Sequence, residues 1–193
     1  MGVDFTALMD HKCSLSELLA LPEDIEQGWQ TYQQQWAAAV PELLPESKNR
    51  WEWSRDVIYG SLEEQFRDGR YLTLDGPLAF SLIFGTRLFE VYHWTRWPGF
   101  LTEQDVRELL RRTCFYFGRT LGASKVIYLP DSEFGVSGAH DFLWDGKTME
   151  DVETWLQTNC GPPAAHIPDI YTEHNGIYEA DGYYVEPLPE QSR

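Results

Sequence analysis

Residues 78–94 read LAFSLIFGTRLFEVYHW, two apolar runs, Leu78–Phe84 and Leu88–Trp94, parted at Gly85-Thr86. Runs of this length, rich in Phe, Ile, Val, Tyr and Trp, predict strands, and a glycine opening a two-residue break predicts a hairpin turn. The hairpin is expected in the middle of a sheet. Upstream, Tyr71–Leu74 is a further strand ended by Asp75-Gly76-Pro77, Trp51–Tyr59 alternates as a strand does, and Val3–Met9 sets Val, Phe, Ala and Met against Asp, Thr and Leu. Downstream, Lys125–Leu129 is a short buried-type strand, and Asp169–Val185 reads as extended, with turns at Asn175-Gly176 and Asp181-Gly182.

Helical periodicity fills the intervals between these strands. Ser14 with Glu17 and Ser61 with Glu64 have capping-box spacing, and Pro22 is placed to open a second helix carrying Ile25, Trp29, Trp36 and Val40 up to Pro41. Thr102 and Asp105 open the clearest helix, with Val106, Leu109, Leu110, Thr113, Phe117 and Leu121 on one side, stopping near Gly122. Thr148–Asn159 is another capped helix, closed by Gly161 and Pro162. Hairpins alternating with helical crossovers predict an α+β fold in one domain over residues 1–193, with a mixed, mainly antiparallel sheet of about five to seven strands and helices packed on it. A doubly wound parallel sheet is disfavoured, because no strand enters a Gly-rich turn into a helix.

Composition narrows the function classes. The chain is 42% hydrophobic and 15% aromatic, which is too rich for a disordered chain. No apolar stretch is long enough to span a bilayer, and Cys13, Cys114 and Cys160 form neither a disulfide framework nor a zinc pattern. A cytoplasmic location without a cofactor is therefore expected. The formal net charge is -16, which opposes nucleic-acid phosphates and anionic membrane faces at long range. Of the 31 acids, 13 lie in residues 131–193, opposed there only by Lys147 and Arg193. The same segment holds Phe134, Phe142, Trp144, Trp155, Tyr171, Tyr178, Tyr183 and Tyr184, whereas a purely solubilising acidic tail has few aromatics.

Carboxylates interleaved with aromatics can steer a basic protein in and anchor it. The sequence-based expectation is accordingly a small acidic inhibitor, immunity-type, that neutralises a basic protein partner such as a toxin domain, a role that needs no catalytic residues. Asp141, Trp144, Asp145, Glu173, Tyr178, Glu179, Asp181 and Tyr183 are the candidate partner-binding residues. The alternative is a small hydrolase. Gly135-Val136-Ser137-Gly138-Ala139 approximates a nucleophile elbow, and Asp169 and His174 follow in Ser, Asp, His order, but no strand runs straight into Ser137. His166, Asp169 and His174 form the closest metal-type group, at a spacing that matches no established metal loop. His140-Asp141 is a formal base and orienter, and His93 reads as a hydrogen-bonded sheet residue. The run Trp94-Thr95-Arg96-Trp97 has hot-spot composition, set against core packing at a sheet edge.

Overall fold

The computed structural model describes residues 3–39, 48–54, 61–67, 69–131, 135–174 and 182–189. Its seven-stranded sheet comprises β1 (Asp4–Asp10), β2 (Glu52–Trp53), β3 (Leu72–Asp75), β4 (Phe80–Phe84), β5 (Leu88–Arg96), β6 (Lys125–Asp131) and β7 (Tyr184–Pro187). The spatial order is β2-β3-β4-β5-β1-β6-β7, so β5 stands at the centre and the β4–β5 hairpin occupies the middle as expected. Every pairing is antiparallel, which makes the α+β fold simpler than the mixed sheet anticipated.

Two layers cover this sheet. On its first face lie α1 (Leu15–Ala39), α3 (Trp97–Thr102), α4 (Gln104–Leu121) and α7 (Ile167–His174), packed with Phe5, Ala7, Met9, Phe80, Val91 and Tyr128 into the larger core. On its second face a 3-10 turn (Gly135–His140), α5 (Asp141–Trp144) and α6 (Met149–Cys160) pack Val136, Ala139, Leu143, Val152 and Leu156 onto Leu8, Leu88, Ile127 and Leu129. The short α2 (Leu62–Arg67) lies beside β3. No helix among the described residues is long and apolar enough to cross a membrane.

Local chemistry accounts for several element ends. The hydroxyls of Ser14, Ser61 and Thr148 accept from the backbone of Glu17, Glu64 and Asp151, whose carboxylates accept in return, so three helices begin on reciprocal caps. These bonds hold all three carboxyls below their ordinary pKa. Gly122 ends α4 in the left-handed region at φ 73.

Four expectations change. Pro22 starts no second helix but lies inside α1, because Leu18, Leu21, Ile25, Trp29 and Trp36 form one buried stripe across it. The packing of that stripe outweighs the roughly 3 kcal/mol that an internal proline costs. Of the strand expected over Trp51–Tyr59, only the first part is described: Glu52–Trp53 forms β2, Ser54 is not strand, and residues 55–60 lie outside the described residues. The first part of Asp169–Val185 is helical in α7, which Pro168 favours at its first turn and which buries Ile167 and Ile170. Its turns at Asn175-Gly176 and Asp181 fall outside the described residues. Gly85, finally, has no left-handed backbone to explain it. A Cβ there would collide with the Leu143 carbonyl oxygen, so glycine is required by the close approach of α5 to the hairpin.

Gly85→Ala should accordingly cost about 1–3 kcal/mol by urea denaturation. Gly99→Ala, inside α3 where the added methyl meets nothing nearer than 3.6 Å, should be neutral or stabilising by up to about 1 kcal/mol.

Candidate functional site

Strand alternation in β5 sends His93 and Thr95 into the first core and leaves Glu90, Tyr92, Trp94 and Arg96 on the second face. Beside them, β1 contributes Asp4 and Thr6, and β6 contributes Asp131 directly opposite Asp4. Among the described residues, the second layer meets β5 at Leu88 and at Glu90. Trp94 remains 55% exposed at the open end.

A bulge shapes that end. Phe5 pairs with His93 and Asp4 with Arg96, so Trp94 and Thr95 are extra residues on β5. His93 braces it from below. Its Nδ1 accepts from the Thr95 backbone N–H (3.0 Å) and meets the Thr95 hydroxyl (2.7 Å), which leaves Nε2–H to donate to the Leu78 carbonyl (3.0 Å). Leu78 and Ala79 are left-handed non-glycine residues, φ 63 and 60, a strained pair that this bond helps to hold. Burial drives the His93 pKa down to about 4 against the opposing pull of the Leu78 carbonyl. The ring is therefore neutral in the folded protein, a sheet residue as expected.

The second ionisable group is buried at the junction of sheet and second layer. Glu90 accepts from His140 Nδ1 at 2.7 Å. The Thr6 hydroxyl donates to the Leu129 carbonyl (2.9 Å), so its oxygen is free to accept from His140 Nε2 at 3.5 Å. Burial disfavours the charged ring, but Glu90, Asp131 and the Pro130 carbonyl together outweigh it and raise the His140 pKa. With acceptors near both nitrogens, the ring holds a proton more readily than an ordinary histidine and ties residues 135–140 to the sheet. It is not placed as a free base, and the pairing of His140 with Asp141 is replaced by one with Glu90.

Outward from this pair the groups stay polar. Tyr92 Oη donates to Asp4 (2.8 Å), Arg96 Nη1 also donates to Asp4 (2.7 Å), and Ser81 Oγ donates to Asp75 (2.8 Å). Desolvation raises the Asp131 carboxyl; His140 pulls it down, and Glu90 and Asp4 push it up again. Among the described residues Asp131 has no hydrogen-bond or ion-pair partner.

Compared with protein-family models, curated proteins and solved structures, the chain matches none.

The remaining sequence candidates scatter. Ser137 stands in the 3-10 turn on the second face, while Asp169 belongs to α7, whose Ile167 and Ile170 pack into the first core. The sheet thus separates the Ser and Asp of the anticipated triad. His166 is exposed just before α7, Asp169 is half-buried within it, and the side chains of Ser137, Trp144, Tyr171, Glu173 and His174 lie outside the described residues. Among the described residues no group of three or more metal-type side chains gathers. Asp141 and Asp145 are exposed, and Tyr178, Glu179 and Asp181 lie outside the described residues. Tyr183 is buried, 2% exposed, with its hydroxyl donated to the Gly161 carbonyl (2.8 Å), so it belongs to the core and not to a surface. Of the Trp94–Trp97 run, Trp94 is open and Trp97 is buried at 1%.

Two titrations follow. His93 binds its proton less readily folded than unfolded, so its contribution is complete above about pH 6.5 and is lost as pH falls toward 4. By pH 4.5 this amounts to about 2–3 kcal/mol, and urea midpoints should fall more steeply with acid in the native chain than in His93→Asn. For the other pair, Glu90→Gln removes the strongest influence that raises His140 and leaves burial opposed by Asp131 and the Pro130 carbonyl alone, so the His140 ring resonance should titrate lower than in the native chain. An unchanged titration would separate His140 from Glu90.

Proposed function

We propose that this chain is an acidic protein-binding protein, of the inhibitor or immunity type, that neutralises a basic protein partner. The observation that carries this reading is how the bases are used. Arg96 pairs with Asp4 (2.7 Å), Lys125 with Glu153 (2.8 Å), Lys48 with Asp75 (3.3 Å), and Arg111 with Glu108 (2.8 Å) and Glu186. Arg107 and Arg112 donate to backbone carbonyls of Leu101 and Glu108. These cations serve the fold.

The exposed acids are left without them. Glu23, Asp24 and Glu26 lie along α1, which contains no Lys or Arg, and Asp141, Asp145 and Glu150 are exposed on or beside α5 and α6. None of these six has an ion-pair partner among the described residues. A surface field of this kind accelerates encounter with a cationic protein and repels anionic ones. The charge is carried on packed helices, which gives it shape as well as sign.

The test is capture from the native host with the immobilised chain at low salt, identification of what is retained, and titration of that purified protein. A basic protein should bind at a fixed stoichiometry, lose its own activity when bound, and bind at least about tenfold more weakly as salt rises from 50 to 300 mM. Recovery of no basic protein, or of one whose activity the chain leaves untouched, would sink the reading.

A further inference from the structure

We propose that the open end of the second sheet face is where the basic partner docks, with an arginine side chain of the partner seated against Trp94 and the carboxylates of Asp131 and Asp4. The inference rests on the binding function proposed above and adds a place and a contact chemistry to it.

Exposure first singles out Trp94. Seven other tryptophans are present in the chain, and those at 29, 36, 51 and 97 are at most 3% exposed, whereas Trp94 is 55% exposed. A tryptophan on a sheet face is an interface anchor of high potential, because it loses little side-chain entropy on binding. The bulge beneath it is braced by His93, so the ring is presented from a fixed backbone.

Charge then selects the occupant. Asp4 and Asp131 face each other across β1 and β6, an arrangement that like charges destabilise. Arg96 and the Tyr92 hydroxyl serve Asp4 and the His140 ring bonds Glu90, so Asp131 feels His140 only at a distance and has no hydrogen bond or ion pair of its own among the described residues. Desolvation is the main cause of the raised Asp131 carboxyl, and the neighbouring Glu90 and Asp4 add to it against the pull of His140. A guanidinium satisfies both features, since it pairs bidentately with a carboxylate and its plane stacks on an indole. A second copy of this chain is disfavoured as the occupant by its own charge of -16.

A blocked hexa-arginine peptide is a direct probe, titrated at low salt against the native chain and three exposed-surface variants and followed by indole N–H and backbone amide resonances. Trp94→Ala and Asp131→Asn should each weaken binding about tenfold or more, while Glu23→Gln on α1 should change it less than twofold. The largest shifts should fall on Trp94, Tyr92 and Asp131. If Glu23→Gln matches Asp131→Asn, or Trp94→Ala binds as the native chain does, the docking site is overturned while acidic partner binding stands. If the peptide binds nowhere, the binding function fails with it. Self-association abolished by Trp94→Ala would give the face to a second copy and overturn the arginine assignment.

Discussion

Burial of both sides of β1 is the constraint on which the rest of the structure depends. Phe5, Ala7 and Met9 are inaccessible on one face and Thr6 and Leu8 on the other, so the sheet needs a layer on each side. The first face receives four helices and most of the aromatic core. The second receives a 3-10 turn and two helices, held at the hairpin by the contact of Gly85 with Leu143 and farther along by Glu90 with His140. Among the described residues that smaller layer meets β5 at Leu88 and Glu90, short of its end at Arg96. Where it stops, the residues of the second face change from Leu8 and Leu88 to Asp4, Tyr92, Trp94 and Arg96.

Charge follows the same division of labour. Buried or half-buried carboxylates such as Glu90, Glu186 and Glu153 are matched by His140, Arg111 and Lys125, as the cost of desolvating an unpaired ion requires. Capping consumes Glu17, Glu64 and Asp151 at helix starts. The acids that remain are at the surface and, with 31 acids to 15 bases in the chain, cannot all be matched by a cation within it. A cationic partner would supply what the fold itself does not.

Much of the fold was legible because its signals are local. The hairpin, the reciprocal caps, α4 with its Gly122 stop, and α6 each depend on residues within a few positions of one another. Pro22 misleads for the opposite reason, since only the core beneath α1 shows that one stripe runs through it. The early helical part of α7 was signalled by Pro168 with Ile167 and Ile170, although the turn residues beyond it suggest extension. The site was less legible. Glu90 and His140 are fifty residues apart, and the only hint was a lone carboxylate within the apolar run Leu88–Val91. Composition drew attention to Trp94-Thr95-Arg96-Trp97, but that Trp94 is turned out on β5 while Trp97 is buried at the start of α3 depends on where the strand ends. Tyr183 shows the converse limit, an aromatic in an acidic segment whose destination is the core.

The central claim, that the second layer leaves the Trp94 end of the sheet open, is tested most directly by hydroxyl-radical footprinting of the native chain with residue-level mass spectrometry. Trp94 should be oxidised far faster than Trp29, Trp36, Trp51 and Trp97, which the fold buries. Oxidation of Trp94 no faster than that of Trp97, three residues further on, would contradict the account.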